Sequence, residues 1–101
     1  MTPQPKISIP SAQIEAFCRR NQIRRLSIFG SALRGDFRPD SDVDVLVEFE
    51  PGAQIGLFAF LRMQQELAAL LQRPVDLVPQ SGLKRVIRDS VLASAQVIYA
   101  A

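Results

Sequence analysis

Histidine and tryptophan are absent from this sequence of 101 residues, and there is one cysteine. Without an imidazole, a zinc enzyme and serine–histidine hydrolysis are both disfavoured. A single cysteine, Cys18, cannot form an internal disulfide. It falls in an apolar pattern with Ile14 and Phe17, and no histidine exists to activate it, so a buried structural thiol is expected rather than a nucleophile. No apolar run approaches the roughly 20 residues of a membrane span. The segment Met1–Pro10 holds four polar or charged residues and three prolines, which is no signal-peptide pattern; a cytoplasmic protein is the expectation. A strong excess of either charge is also lacking. Net charge is +2 and aromatics make up 7% of the chain, too little of both to argue for nucleic acid from bulk composition.

An apolar fraction of 48% and a charged fraction of 22% suit one globular domain, and the length leaves little room for a second. Residues 1–10 read as an extended leader and 11–101 as the domain. Arg19, Arg20, Arg24 and Arg25 crowd the early part, and Lys84, Arg85 and Arg88 lie near the end. Asp36, Asp40, Asp42, Asp44, Glu48 and Glu50 fill the middle. Solvated surface is the ordinary explanation of such clusters.

Ser11 follows Pro10 as a candidate helix N-cap, Ile14, Phe17 and Cys18 recur at helical spacing, and Arg19-Arg20-Asn21 closes this first helix. Leu26–Phe29 is a short β-prone run ended by Gly30, and residues 31–35 could form a short helix. Gly35–Ser41 is rich in turn formers and reads as a loop. Val43–Phe49 reads as a second strand, with Val43, Val45 and Val47 on one face and Asp42, Asp44, Leu46 and Glu48 on the other. Residues 56–72 predict the longest helix, its inward stripe made by Leu57, Phe60, Leu61, Leu67, Ala68 and Leu71 and interrupted by Gln64. Phe58, Met63 and Leu70 widen that face, which serves the core alone or the core plus a partner surface. Val75–Val78 is a third strand stopped by Pro79. Leu83, Val86 and Ile87 suggest another helix, and Ala95–Tyr99 a last strand. The expected order is α-β-α-β-α-β-α-β, an α/β fold with a small sheet flanked by helices.

Asp42 and Asp44, two residues apart on a strand, point to the same side roughly 6–7 Å apart. They repel, and no lysine or arginine on their own strand offsets them. A bound cation resolves the conflict, and magnesium takes hard oxygen ligands of this kind. Asp76 stands in the middle of a short apolar strand, costly unless it is paired, metal-bound or exposed. Were the third strand beside the second, Asp76 would join Asp42 and Asp44. Gly30-Ser31 adds a glycine at a strand end and a serine at a helix start, where backbone N–H groups can meet phosphate oxygens.

The run from Phe29 to Val47, with Gly30-Ser31, ten intervening residues and Asp42-Val43-Asp44, closely resembles the signature of minimal nucleotidyltransferase domains of the polymerase-β-like superfamily. Val75–Val78 resembles the strand that carries the family's third carboxylate. The resemblance spans the chain from the first helix to Tyr99. It implies a polymerase-β-like nucleotidyltransferase fold built on a mixed sheet, ATP as substrate, and two magnesium ions held by Asp42, Asp44 and Asp76 as the catalytic set. An acceptor hydroxyl attacks the α-phosphate and pyrophosphate leaves, with Asp76 helping to take up the proton. Gly30, Ser31, Arg34 and Ser41 form the nucleotide-binding set. Gly30 and Ser31 position the β and γ phosphates, Arg34 is a candidate phosphate contact together with Arg38, and Ser41 orients the acidic turn.

Small stand-alone domains of this kind are often antitoxins of a HEPN-domain ribonuclease toxin. The resemblance thus implies transfer of AMP to a toxin side chain, a tyrosine hydroxyl above all, with the partner gripped directly or in an oligomer. Two other readings stay open: a binding module that neutralises its partner by occlusion, and a nucleotidyltransferase for a nucleic-acid end.

Overall fold

Valines at positions 43, 45 and 47 make one side of a strand wholly apolar, and the fold is built around burying that side. A computed structural model describes residues 9–29, 42–82, 91 and 93–101. In chain order the described elements are helix α1 (Ser11–Arg20), strands β1 (Ile23–Phe29) and β2 (Val43–Phe49), helix α2 (Leu57–Leu71), strand β3 (Val75–Pro79), a short 3₁₀ turn (Gln80–Gly82) and strand β4 (Gln96–Ala100). The four strands form one mixed sheet in the order β3-β2-β1-β4. β1 runs antiparallel to β2 and to β4, whereas β2 and β3 are parallel. Parallel neighbours need a crossover, and α2 supplies it. The expected helices at 31–35 and at 83–87 lie outside the described residues.

Both helices cover the valine side. Ile14, Phe17 and Cys18 of α1, Ile23, Leu26 and Ile28 of β1, the three valines of β2, Met63, Leu67 and Leu71 of α2, and Val75 and Leu77 of β3 form a single buried cluster. Cys18 belongs to it, as its apolar spacing predicts, and burial pushes its thiol pKa up to about 12.

Four local expectations are corrected. Ser11 is the first residue of α1 and Pro10 holds the capping place, where its carbonyl accepts the N–H of Ile14 at 2.9 Å with no side-chain cap. β1 begins three residues earlier than the run Leu26–Phe29, because a bulge between Ile23 and Arg25 turns Arg24 and Arg25 both to solvent while Ile23 and Leu26 stay buried; an extra residue of this sort breaks the alternation that reveals a strand. Pro79 ends β3 from inside, which an edge strand tolerates. The inward stripe of α2 is Met63, Leu67 and Leu71, flanked by the partly buried Phe60 and Ala68. Leu57, Phe58 and Leu61 are 70%, 83% and 43% exposed. At 100° per residue Leu61 stands about 120° around the helix from Leu67, too far to share its face.

α1 closes as its sequence suggests. The Asn21 side chain donates to the Phe17 carbonyl at 2.8 Å. α2 ends on Gln72 in the left-handed region (φ 56), its N–H donating to the Ala68 and Ala69 carbonyls. Among the described residues no helix is long and apolar enough to cross a membrane.

Candidate active site

The register of β2 on β3 decides where the carboxylates stand. Val43 pairs with Val75, Asp44 with Asp76 and Val45 with Leu77, and the Val43 N–H donates to the Pro74 carbonyl at 2.8 Å at the start of the ladder. Because the valines and Leu77 face the helices, alternation turns Asp44 and Asp76 together to the opposite side of the sheet. Neighbouring strands lie about 4.8 Å apart, so two like charges face each other across the ladder. Asp44 is half-buried and Asp76 exposed. Asp42 precedes β2 directly and is exposed.

On the other flank of β2, Asp44 pairs with Phe29, the last residue of β1. The chain therefore leaves β1 beside Asp44, and the next two residues in sequence are Gly30 and Ser31. Gly30, Ser31, Arg34 and Ser41 themselves lie outside the described residues. Farther along the same sheet face Arg25 and Glu48 form an ion pair at 4.0 Å. The partly exposed geometry and that separation leave it little energetic weight.

Among the described residues no three histidine, cysteine, aspartate or glutamate side chains form a ready group able to hold a metal ion. The donor chemistry still fits magnesium. Asp44 and Asp76 offer hard oxygens from adjacent strands, and magnesium commonly takes only one or two carboxylates, completing its shell with water and substrate phosphates. Asp42 and Asp44, with Asp76 across the ladder, are the residues that would hold it.

Two grooves of about 450 and 400 Å³ lie at the other end of β2 and β3, sharing Phe49, Pro79 and Ser81 as walls. Five residues of strand, about 16 Å, separate Phe49 from Asp44. The second groove also runs along Ile55, Leu57 and Phe60, and Phe60 meets Phe49 edge-on with ring centroids 6.5 Å apart. The exposed first turn of α2 borders it, so this apolar exposure stands at the end of the sheet away from the carboxylates.

One contact near the carboxylates escapes a sequence reading. Gln64, an interruption in the apolar stripe of α2, accepts the backbone N–H of Leu77 through Oε1 at 3.0 Å. Its signal is a lone polar residue on the inner face of a crossover helix, where the adjacent edge strand has N–H groups to satisfy.

A mixed sheet with helices on one side and carboxylates on the other, two of them paired across parallel strands, is an arrangement suited to metal-assisted phosphate chemistry. The chain belongs to the nucleotidyltransferase domain family, whose pattern matches residues 11–98. It is 40% identical over 92 residues to the protein adenylyltransferase MntA of Thermococcus cleftensis, covering 91% of this chain and 89% of that protein. A solved structure described as a candidate minimal nucleotidyltransferase superposes with a TM-score of 0.69 at 38% identity, covering 84% of this chain and 85% of the other. The fold is also shared, with a TM-score of 0.64 at 22% identity over 90% of this chain and 70% of that one, by the complex of a tri-AMPylated Shewanella oneidensis HEPN toxin with its MNT antitoxin. This chain is thus a minimal nucleotidyltransferase domain with the polymerase-β-like fold.

Proposed function

We propose that this domain is a protein adenylyltransferase of the MntA type, the antitoxin of a HEPN toxin, and that it uses magnesium to move AMP from ATP to a tyrosine hydroxyl of that partner. One observation carries the chemistry: Asp76 faces Asp44 across the β2–β3 ladder while β1 ends alongside. The 40% identical MntA relative, matched along nearly its whole length, supports the protein acceptor. The AMPylated toxin held by a structural relative supports the kind of partner.

In this reading Gly30 and Ser31, next in sequence after β1, hold the β and γ phosphates, Arg34 is a further phosphate contact, and Ser41 orients the acidic pair. Asp42, Asp44 and Asp76 hold the metal. Magnesium, when bound, neutralises charge on the triphosphate and on the leaving pyrophosphate. The acceptor oxygen bonds to the α-phosphorus, the bond from that phosphorus to the β-phosphate bridging oxygen breaks, and Asp76 helps take up the hydroxyl proton. AMP stays on the partner and pyrophosphate departs.

Incubation of the partner with magnesium and ATP labelled at the α or the γ phosphate tests this. The α label is expected on the partner and the γ label in pyrophosphate; a partner that stays unlabelled in both would sink the transfer reading. A second reading is neutralisation by occlusion. The exposed Leu57, Phe58 and Leu61 stand on a helix that covers the sheet face opposite Asp44 and Asp76, which favours a grip on the partner that is separable from the chemistry. Growth rescue by Asp42→Asn and Asp44→Asn as complete as by the wild type would favour occlusion.

A further inference from the structure

β3 lies at the edge of the sheet, so every second N–H along it points away from β2. The register assigns these groups. Val43 pairs with Val75 and donates to the carbonyl of Pro74, which makes Pro74 and Asp76 the residues that bond toward β2. The N–H of Leu77 therefore faces outward, and Gln64 Oε1 accepts it at 3.0 Å. The peptide joining Asp76 to Leu77 is thereby held from two sides, by the ladder on one and by α2 on the other.

We infer that Gln64 is a positioning residue for the Asp76 carboxylate: by fixing the Asp76–Leu77 peptide it sets how that carboxylate stands opposite Asp44. The inference rests on the proposed role of Asp76 in the transfer. The rest of the inner face of α2 is apolar at Met63, Leu67 and Leu71, and an amide in such company needs a defined partner. Leu77 N–H is that partner, one residue from a carboxylate that must be held with little freedom to serve a reacting centre. A side chain placed only for packing would need no acceptor at this position.

Gln64→Met keeps length and apolar volume and removes the amide oxygen, whereas Gln64→Glu keeps an acceptor. With ATP, magnesium and the purified HEPN partner, Gln64→Met is expected to lower the transfer rate at saturating ATP by roughly two- to tenfold, the equivalent of one hydrogen bond, with KM for ATP unchanged. Gln64→Glu is expected to restore the rate. Amide exchange at Leu77, read by NMR, should speed up in Gln64→Met and stay slow in Gln64→Glu. Asp76→Asn runs in parallel. Faster amide exchange at Leu77 with an unchanged transfer rate in Gln64→Met, while Asp76→Asn is inactive, overturns the positioning role alone. Transfer at the wild-type rate by Asp76→Asn overturns the assignment of Asp76 on which that role depends.

Discussion

Removing the charge of Asp76 separates a structural carboxylate from a catalytic one. Asp76→Asn keeps the shape of the side chain and deletes one of the two charges facing each other on β2 and β3. At the interstrand spacing of about 5 Å, and with the dielectric constant of water that suits an exposed group, the repulsion relieved is about 0.8 kcal/mol. Half-burial of Asp44 raises that figure and its interactions with other groups lower it. In metal-free buffer the variant should thus be as stable as the wild type or more so, by about 3–6 °C in Tm for a domain of this size. Magnesium with a non-hydrolysable ATP analogue should then stabilise the wild type, by about 2.7 kcal/mol at a hundredfold excess over Kd, and the variant far less. Paired thermal melts with and without magnesium and analogue measure both differences. A variant that loses more than about 1 kcal/mol in metal-free buffer yet keeps the full ligand-induced shift would refute the reasoning, since Asp76 would then stabilise the fold and take no part in ligand binding.

Leu67→Ala removes a side chain with no exposed surface and should cost about 2–5 kcal/mol in chemical denaturation, with the low end expected if α2 settles toward the sheet. Phe58→Asp alters a residue 83% exposed, so Tm should hold while co-purification with the proposed HEPN partner falls; undiminished co-purification would remove the first turn of α2 from that contact. Burial raises the Cys18 thiol from 9.0 to about 12, so the unfolded chain ionises first as pH rises. The contribution is intact below about pH 9 and shrinks toward pH 12 by at most about 1.4 kcal/mol per pH unit. Cys18→Ala should therefore show a shallower loss of stability across that window, measured by denaturant midpoints at each pH.

The parts that could be read in advance are those whose side chains state their surroundings. Alternating valines mark β2, Pro74 marks the start of β3, and a long apolar helix between two strands implies a crossover, hence parallel neighbours. The opposition of Asp44 and Asp76 is a different matter. It depends on register, and a slip of one residue would set Asp76 against a valine and turn it to the other face. No local pattern fixes that; the packing of α2 beneath both strands does. The start of β1 was hidden because its bulge exposes two consecutive arginines where a strand should alternate. The stripe of α2 is not legible in advance because Leu57 and Leu61, and Phe58 beside them, have the composition of a core but stand in solvent. Gln64 looked like a flaw in an amphipathic pattern because its partner, an edge-strand N–H, exists only once the strand order is set. For the phosphate-binding side, Gly30, Ser31, Arg34 and Ser41, the sequence motif remains the whole of the case.

The decisive measurement is the intact mass of the proposed HEPN partner, purified and incubated with ATP, magnesium and either the wild-type domain or Asp44→Asn. A gain of one or more adenylyl groups is expected with the wild type and none with Asp44→Asn. An unchanged mass in both, with the partner nonetheless neutralised, would contradict it.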